Sequence, residues 1–253
     1  MLILLSPAKN LNEARAAGHA TTTPRFLNEA RELVDVARTW SAADIAELMK
    51  VSPAIAELNA DRFADWSPHD REGASAGLMF DGDVYKHLDL PTLDAPARDA
   101  ADRRLRILSG LYGLLRPADA IAPYRLEMGR KLPGHPAGTL YRFWGDKIAR
   151  AVVDDCRSLG VDVVLNLASS EYAKAVDRGA LNDLTIIEPR FEEERGGKRK
   201  VVAVSAKRAR GAMARWVLET GASTPADLTG FDVGGHAFDA EASTEGRPVF
   251  LRA

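Results

Sequence analysis

The chain contains one cysteine, Cys156, in 253 residues, so it forms no internal disulfide and fits a reducing compartment. It has no run of about 18 apolar residues, which excludes a membrane-spanning helix and a membrane partner. The apolar start, Met1-Leu2-Ile3-Leu4-Leu5, has no basic leader and meets Ser6-Pro7 and Lys9 at once, so a secretory signal is not expected and a cytoplasmic location is. No Gly-x-Gly-x-x-Gly follows a strand and no P-loop occurs, so the standard nucleotide cradles are missing. The five histidines (His19, His69, His87, His135 and His236) are scattered, without cysteine neighbours or His-Glu-x-x-His spacing. No metal site and no cofactor is expected. The formal net charge of −2 offers no bulk attraction for nucleic acid.

A hydrophobic fraction of 46% against 28% charged is enough to bury a core without a metal or disulfide staple. The length lies near the ~250 to 300 residues at which one core stops growing, so a single domain over 1–253 is expected. Charge is unevenly distributed. Arg195 to Trp216 holds Arg195, Lys198, Arg199, Lys200, Lys207, Arg208, Arg210 and Arg215 with no acid. Arg103 to Lys131 holds seven basic residues against Asp119 and Glu127. Such segregation builds a positive surface on an acidic protein, or two solvated faces screened by neighbouring acids.

The spacing predicts a strand over Met1 to Leu5 and an amphipathic helix over Phe26 to Thr39. Ser41 is a candidate N-cap for a helix through Met49, and Ser52-Pro53 starts another to about Phe63. A polar loop is expected over Ser67 to Gly77, then a short strand at Leu78-Met79-Phe80 and a turn at Asp81-Gly82-Asp83. Ala97 to Leu108 and Trp144 to Leu159 read as helices, and Val161 to Leu167 is the clearest strand. A further strand is expected at Val201 to Val204, followed by a helix over Lys207 to Glu219, and a hairpin at Gly235 to Arg252 turns at Glu245-Gly246. Separated strand-to-helix steps predict a mixed α/β (α+β) fold, a central mixed sheet flanked by helices, and not a regular Rossmann or barrel fold.

Polar residues gather where strands are expected to end: Ser6 and Lys9, then Asn166, Ser169 and Glu171, then Lys207 and Arg210. Ligand sites in open sheets form outside the carboxyl ends of strands, so the three groups could converge on an anion such as phosphate. The plainer reading makes Ser169 and Ser170 helix caps and Glu171 a partner of the helix dipole. Ser6-x-x-Lys9 matches a serine-lysine nucleophile only formally, because Ser-Asp-Asn and Lys-Thr-Gly are absent. Asp81 and Asp83 suit a turn better than a cation. Cys156, flanked by Asp155, is not expected to be a reactive thiol. The helices over Ser41 to Phe63 could form a helix-hairpin-helix from Ile45, Leu48, Met49, Ile55 and Leu58, but Val51-Ser52-Pro53 stands where a Gly-x-Gly hairpin would be. A plain helical corner uses the same residues.

Seven motifs in order resemble one family over nearly the full chain. They are Leu2-Ile3-Leu4-Leu5-Ser6-Pro7-Ala8-Lys9, Phe80-Asp81-Gly82-Asp83-Val84-Tyr85, Leu108 to Pro117, Pro123-Tyr124-Arg125-Leu126-Glu127-Met128-Gly129, Phe143-Trp144-Gly145-Asp146, Asn166 to Tyr172, and Lys207-x-Ala209-Arg210-Gly211. The chain resembles the peroxide stress resistance (YaaA) family. The resemblance implies a mixed α/β fold with a positively charged cleft and a helix-hairpin-helix. It also implies sequence-nonspecific binding of duplex or junction DNA, and protection from hydrogen peroxide by limiting unincorporated iron.

On that reading Lys9, Arg125, Lys207 and Arg210 line a cleft that tracks phosphates, supported by Lys198, Arg199 and Lys200. The other motif residues, Ser6, Asp81, Asp83, Tyr85, Tyr124, Glu127, Trp144, Asp146, Asn166, Ser169, Glu171 and Tyr172, are expected to share the cleft. Their variety supports a second reading, an enzyme acting on a small phosphate- or nucleotide-like anion, because carboxylates beside cations suit acid-base chemistry.

Overall fold

The computed structural model describes residues 1–19, 21–67, 74–176, 178–181 and 183–253. Most of the loop expected over Ser67 to Gly77, including His69, lies outside the described residues.

Strand β1 (Leu2–Leu5) runs through the middle of a five-stranded sheet, and every residue in it is buried. Its side chains alternate between two apolar layers: Leu2 and Leu4 join one core, Ile3 and Leu5 the other. A strand covered on both faces needs a continuous apolar run, which explains the absence of polar alternation. Helices α1 (Leu27–Ala37), α2 (Ala42–Met49) and α3 (Pro53–Asp65) add Leu33, Val34, Ile45, Met49 and Phe63 to the first layer. After α4 (Asp83–Leu88), helix α5 (Ala95–Arg104) adds Ala97 and Ala101 to the second layer and leads into β2 (Leu105–Ser109) and the antiparallel β3 (Gly113–Leu115). Helix α6 (Lys147–Leu159) places Ile148 and Val152 in the first layer and leads to β4 (Val163–Asn166) and β5 (Thr185–Ile187). The sheet order is β5-β4-β1-β2-β3, parallel except at β3.

A second, four-stranded sheet has the order β7-β6-β9-β8, from β6 (Arg190–Arg195), β7 (Lys198–Lys200), β8 (His236–Thr244) and β9 (Arg247–Arg252). Between its halves runs α7 (Ala203–Thr220), whose Met213 and Val217 complete the second layer. The mixed α/β architecture with a helix-flanked mixed sheet is the one the sequence predicts. The hairpin over Gly235 to Arg252 is present, as are the Ser41 cap, a capping box with Asp44, and Pro53 in the first turn of α3.

Several boundaries differ. The helix expected over Ala97 to Leu108 stops at Arg104, and Leu105–Ser109 is a fully buried inner strand; alanine richness upstream hid it. Val201 to Val204 is not a strand. Val201 and Val204 are exposed and Val202 is the residue before α7, while the strand is the basic segment Lys198–Lys200. It folds back on β6 through Gly196-Gly197, both at positive φ (58° and 71°), the backbone a two-residue hairpin needs. Leu78-Met79 belongs to a helical turn, Ala76–Met79, and only Phe80–Asp81 is extended, paired with Asn10–Leu11. The helix expected from Trp144 is split: Leu140–Trp144 ends at Gly145 (φ 49°) and α6 begins at Lys147.

Lys50, at φ 53°, ends α2 and turns the chain into α3. The seam expected between these helices is not made by Ile55 and Leu58, which are 38% and 47% exposed. Helix α3 instead buries Ala56, Asn59 and Phe63.

Candidate functional site

Strand β1 is joined to β2 on one side, and the chain later returns to add β4 and β5 on the other, so the strand order reverses between β1 and β4. Ligand crevices in open parallel sheets lie at such a reversal, beyond the carboxyl ends of the strands. Leu4 is in register with Asn166, and the pairing continues one step as Leu167 N–H donates to the Leu4 carbonyl at 2.9 Å. Beyond it, Ser169 N–H donates to Ser6 Oγ at 2.8 Å and Ser6 Oγ donates to Ser169 Oγ at 3.2 Å. A cavity of about 510 Å³ opens over this joint, lined by Ser6, Lys9, Asp81, Asp83, Tyr85, Tyr124, Arg125, Glu127, Ser169, Glu171, Tyr172, Lys207 and Arg210 among others.

The three lining tyrosines are buried. Tyr85 donates to the Ser6 carbonyl at 2.9 Å, and Tyr124 Oη lies 2.6 Å from Ser109 Oγ. Burial, reinforced by Tyr124, holds the Tyr85 hydroxyl far above its ordinary pKa. Burial likewise raises Tyr124, and raises Tyr172 with the help of Tyr124 and the Glu171 charge. All three are neutral at physiological pH. They shape the cavity and orient backbone without adding charge.

Charge comes from four cations and four carboxylates among the lining residues. Glu127 is buried and gathers three cations: Lys9 Nζ at 3.4 Å, Arg125 Nη2 at 3.1 Å and Arg130 Nε at 3.0 Å. Burial alone would raise its pKa; the hydrogen bond and charge of Arg130, with Arg125 and Lys9, outweigh that and hold it below the usual carboxylate value. Asp83 pairs with Arg208 at 3.4 Å, and Asp81 is within 4.0 Å of Lys86 and 3.9 Å of Arg15. Glu171 Oε1 accepts the Gly129 N–H at 2.9 Å, and no cation among the described residues pairs with this carboxylate.

Lys207 and Arg210 reach the cavity from the first turns of α7. That helix is pressed against α4 at Gly211, where a Cβ would lie 2.0 Å from the Val84 carbonyl oxygen. Only glycine permits the approach. Gly110 plays the same part for the segment carrying Arg125 and Glu127, since a Cβ there would meet the Leu126 carbonyl oxygen at 2.1 Å. Arg210 is half-buried, and desolvation lowers its pKa with nothing opposing. Among the described residues neither Arg210 nor Lys207 makes an ion pair or hydrogen bond.

Comparison with known proteins gives this arrangement its context. The family model described as peroxide stress protein YaaA matches residues 1–242. The chain belongs to the peroxide stress protein YaaA family. It is 68% identical over 252 residues to a UPF0246 protein of Ruegeria sp. strain TM1040, with all of both chains covered. A UPF0246 protein of Cereibacter sphaeroides strain KD131 is 48% identical over 257 residues, again end to end. One from Maricaulis maris strain MCS10 is 46% identical over 253 residues, covering all of this chain and 96% of the relative.

Of the YaaA-type motif residues, most meet at the cavity, but not all. Trp144 is fully buried, donates to the Gly110 carbonyl at 3.0 Å and stacks edge-on with Phe26 and Phe143. It is core, because a large ring at the end of a short helix fills the gap over Gly113. Asp146 pairs with Arg150 one turn on, at the start of α6. Asn166 does not line the cavity; its side chain donates to Glu188 at 2.9 Å and accepts from the Ala168 N–H at 3.1 Å. Lys198, Arg199 and Lys200 lie on β7 of the second sheet, and Arg199 is held by Asp239 at 2.9 Å and Glu192 at 3.1 Å. Lys207 and Arg210 do not follow a strand at Val201 to Val204; α7, which begins at Ala203 after the edge strand β7, delivers them. Sequence reasoning missed Arg130 as a partner of Glu127, although the i, i+3 spacing and opposite charge were a usable signal.

Asp81 and Asp83 face Arg15, Lys86 and Arg208, and among the described residues no group of three or more His, Cys, Asp or Glu is placed to hold a metal. Ser6 is committed to Ser169, and Lys9 to Glu127, so the two do not form a nucleophile pair. No described helix is long and apolar enough to cross a membrane.

Proposed function

We propose that this protein binds DNA, without regard to sequence, as part of the peroxide stress response its family serves, and that phosphate contacts at the cleft carry the binding. Arg210 is the observation behind this reading. A half-buried guanidinium without an acceptor has lost water and gained nothing in exchange, an arrangement that an incoming anion completes. Lys207 stands beside it, and the three cations around one Glu127 leave further positive charge in Lys9 and Arg125. Lys198, Arg199 and Lys200 supply a second basic stretch, and the lone thiol is consistent with a cytoplasmic setting, where bound DNA is kept from iron-dependent oxidation.

The test is a salt titration of binding to closed circular duplex and to junction DNA. Lys207→Ala/Arg210→Ala is expected to weaken both and to flatten the salt slope by about 1 to 2. Loss only in Lys198→Ala/Arg199→Ala/Lys200→Ala would move DNA off the cleft. A second reading, an enzyme acting on a small phosphate- or nucleotide-like molecule, draws on the cavity of about 510 Å³ and on Glu171, whose carboxylate lines the same space without a cation among the described residues.

A further inference from the structure

We infer that the cleft prefers a terminal phosphate, a phosphomonoester carried on one nucleotide-sized body, over the diester backbone of an intact duplex. This rests on the reading above that the cleft is a phosphate site, and it names the chemical form of the phosphate.

Depth is the first ground. Lys207 is exposed and Arg210 is half-buried, so the two unpaired cations lie at different depths of one cavity. A diester in a duplex is flanked by sugars on both sides and stays at the rim. A phosphate at an end projects, and can reach a half-buried guanidinium. Size is the second. The cavity over the Ser6–Ser169 joint measures about 510 Å³, within the range of small-ligand sites and suited to one nucleotide-sized body.

Glu171 is the third ground. It lines the same cavity without a cation of its own among the described residues, whereas Asp81 and Asp83 are paired, and a row of diesters offers it only repulsion. A single nucleotide offers hydroxyl and amino donors. Glu171 spends one oxygen on the Gly129 N–H, and its second is unpaired among the described residues, so it can accept from such a donor. Charge is the fourth. A monoester takes its second negative charge near pH 6, and the dianion matches two cations that have no counter-ion. Experiment separates the sources: a phosphorylated strand end and a free mononucleotide present the same group.

The test measures equilibrium binding of the full chain to a short labelled single strand with and without a 5′-phosphate, to closed circular duplex, and to dAMP, deoxyadenosine and inorganic phosphate as competitors. The inference expects the phosphorylated strand to bind about tenfold tighter or more, dAMP to compete and deoxyadenosine not to, and the preference to fade as pH falls below about 6. Arg210→Gln should erase the preference. Arg210→Lys, which keeps the charge and loses the planar fork, should retain part of it, and the pH dependence of the wild type needs no variant at all. Preference for the phosphorylated end without competition by dAMP assigns the source to DNA ends; competition by dAMP with weak strand binding assigns it to free nucleotides. Equal binding of both strands with no effect of dAMP overturns the inference, and if circular duplex still binds through Lys207 and Arg210, the proposed DNA function survives it. Binding of dAMP with no DNA bound in any form has the reverse meaning.

Discussion

Ser6 and Ser169, 163 positions apart, hold each other by a reciprocal pair of hydrogen bonds: Ser169 N–H to Ser6 Oγ at 2.8 Å, and Ser6 Oγ to Ser169 Oγ at 3.2 Å. The pair ties the loops after β1 and β4 at the point where the sheet order reverses. Ser6→Ala leaves a part-buried N–H without its acceptor, so about 1 to 3 kcal/mol of stability should be lost. Urea unfolding would show it as a lower midpoint at an unchanged slope. An unaltered midpoint would mean the joint contributes nothing to the floor of the cleft.

Gly211→Ala is expected to be more damaging than its size suggests. The added methyl would sit 2.0 Å from the Val84 oxygen, and that atom belongs to backbone, which cannot rotate away. Overpacking of this kind costs about 1 to 3 kcal/mol or more, and the shift of α7 from α4 should displace Lys207 and Arg210 as well. Thermal unfolding and DNA affinity should therefore fall together. Loss of stability with affinity intact would show that the helix contact does not position the cations.

Glu127 sets an acid limit. Its folded pKa lies below the unfolded value, so its contribution is fully present above the ordinary carboxylate range near 4.3 and is lost as pH falls through the folded value. Glu127→Gln should flatten the acid side of the stability curve and lower stability at neutral pH. It also releases Lys9 and Arg125, so DNA affinity at low salt should rise and the salt slope steepen by about 1. A weaker-binding variant would reassign Glu127 from neutralising those cations to orienting them.

Cys156 should be inert while the chain is folded. Burial, then the neighbouring Asp155 charge, pushes its thiol up to about 11. Iodoacetamide at pH 8 should label it only at the rate of unfolding, and rapidly in denaturant. The linkage runs opposite to that of Glu127: the unfolded thiol ionises near 8.5 and the folded one does not, so stability declines as pH rises from about 8.5 towards about 11. Fast labelling of folded protein would contradict the buried placement.

How far the residues themselves announced this arrangement varies by element. Local signals carried the capped helices: Ser41 with Asp44, Pro53 after Ser52, and the hairpin at Glu245-Gly246 are determined within a few residues of chain. The strand at Leu105–Ser109 was not legible, because a strand buried on both faces has no alternation and its apolar run follows directly on an alanine-rich helix. Lys198–Lys200 was hidden for the opposite reason: three exposed cations form an edge strand only because Gly196-Gly197 folds them onto β6. Trp144, Asp146 and Asn166 sit in motifs beside cleft residues, and sequence proximity alone could not separate the ones that support the cleft from those that line it.

The sequence by itself determined the class of fold, the family, the uneven charge and most of the polar residues that gather at the strand ends, since apolar periodicity, caps and motif order are properties of neighbouring residues. Only the tertiary structure decided which charges are spent and which remain. Glu127 draws Lys9, Arg125 and Arg130 to one carboxylate, and Arg199 turns to Asp239 and Glu192 across the second sheet. Lys207 and Arg210 are left without an acceptor among the described residues. The reason is physical: electrostatic pairing depends on distances across the fold and on the water each group loses, and neither is encoded by position along the chain.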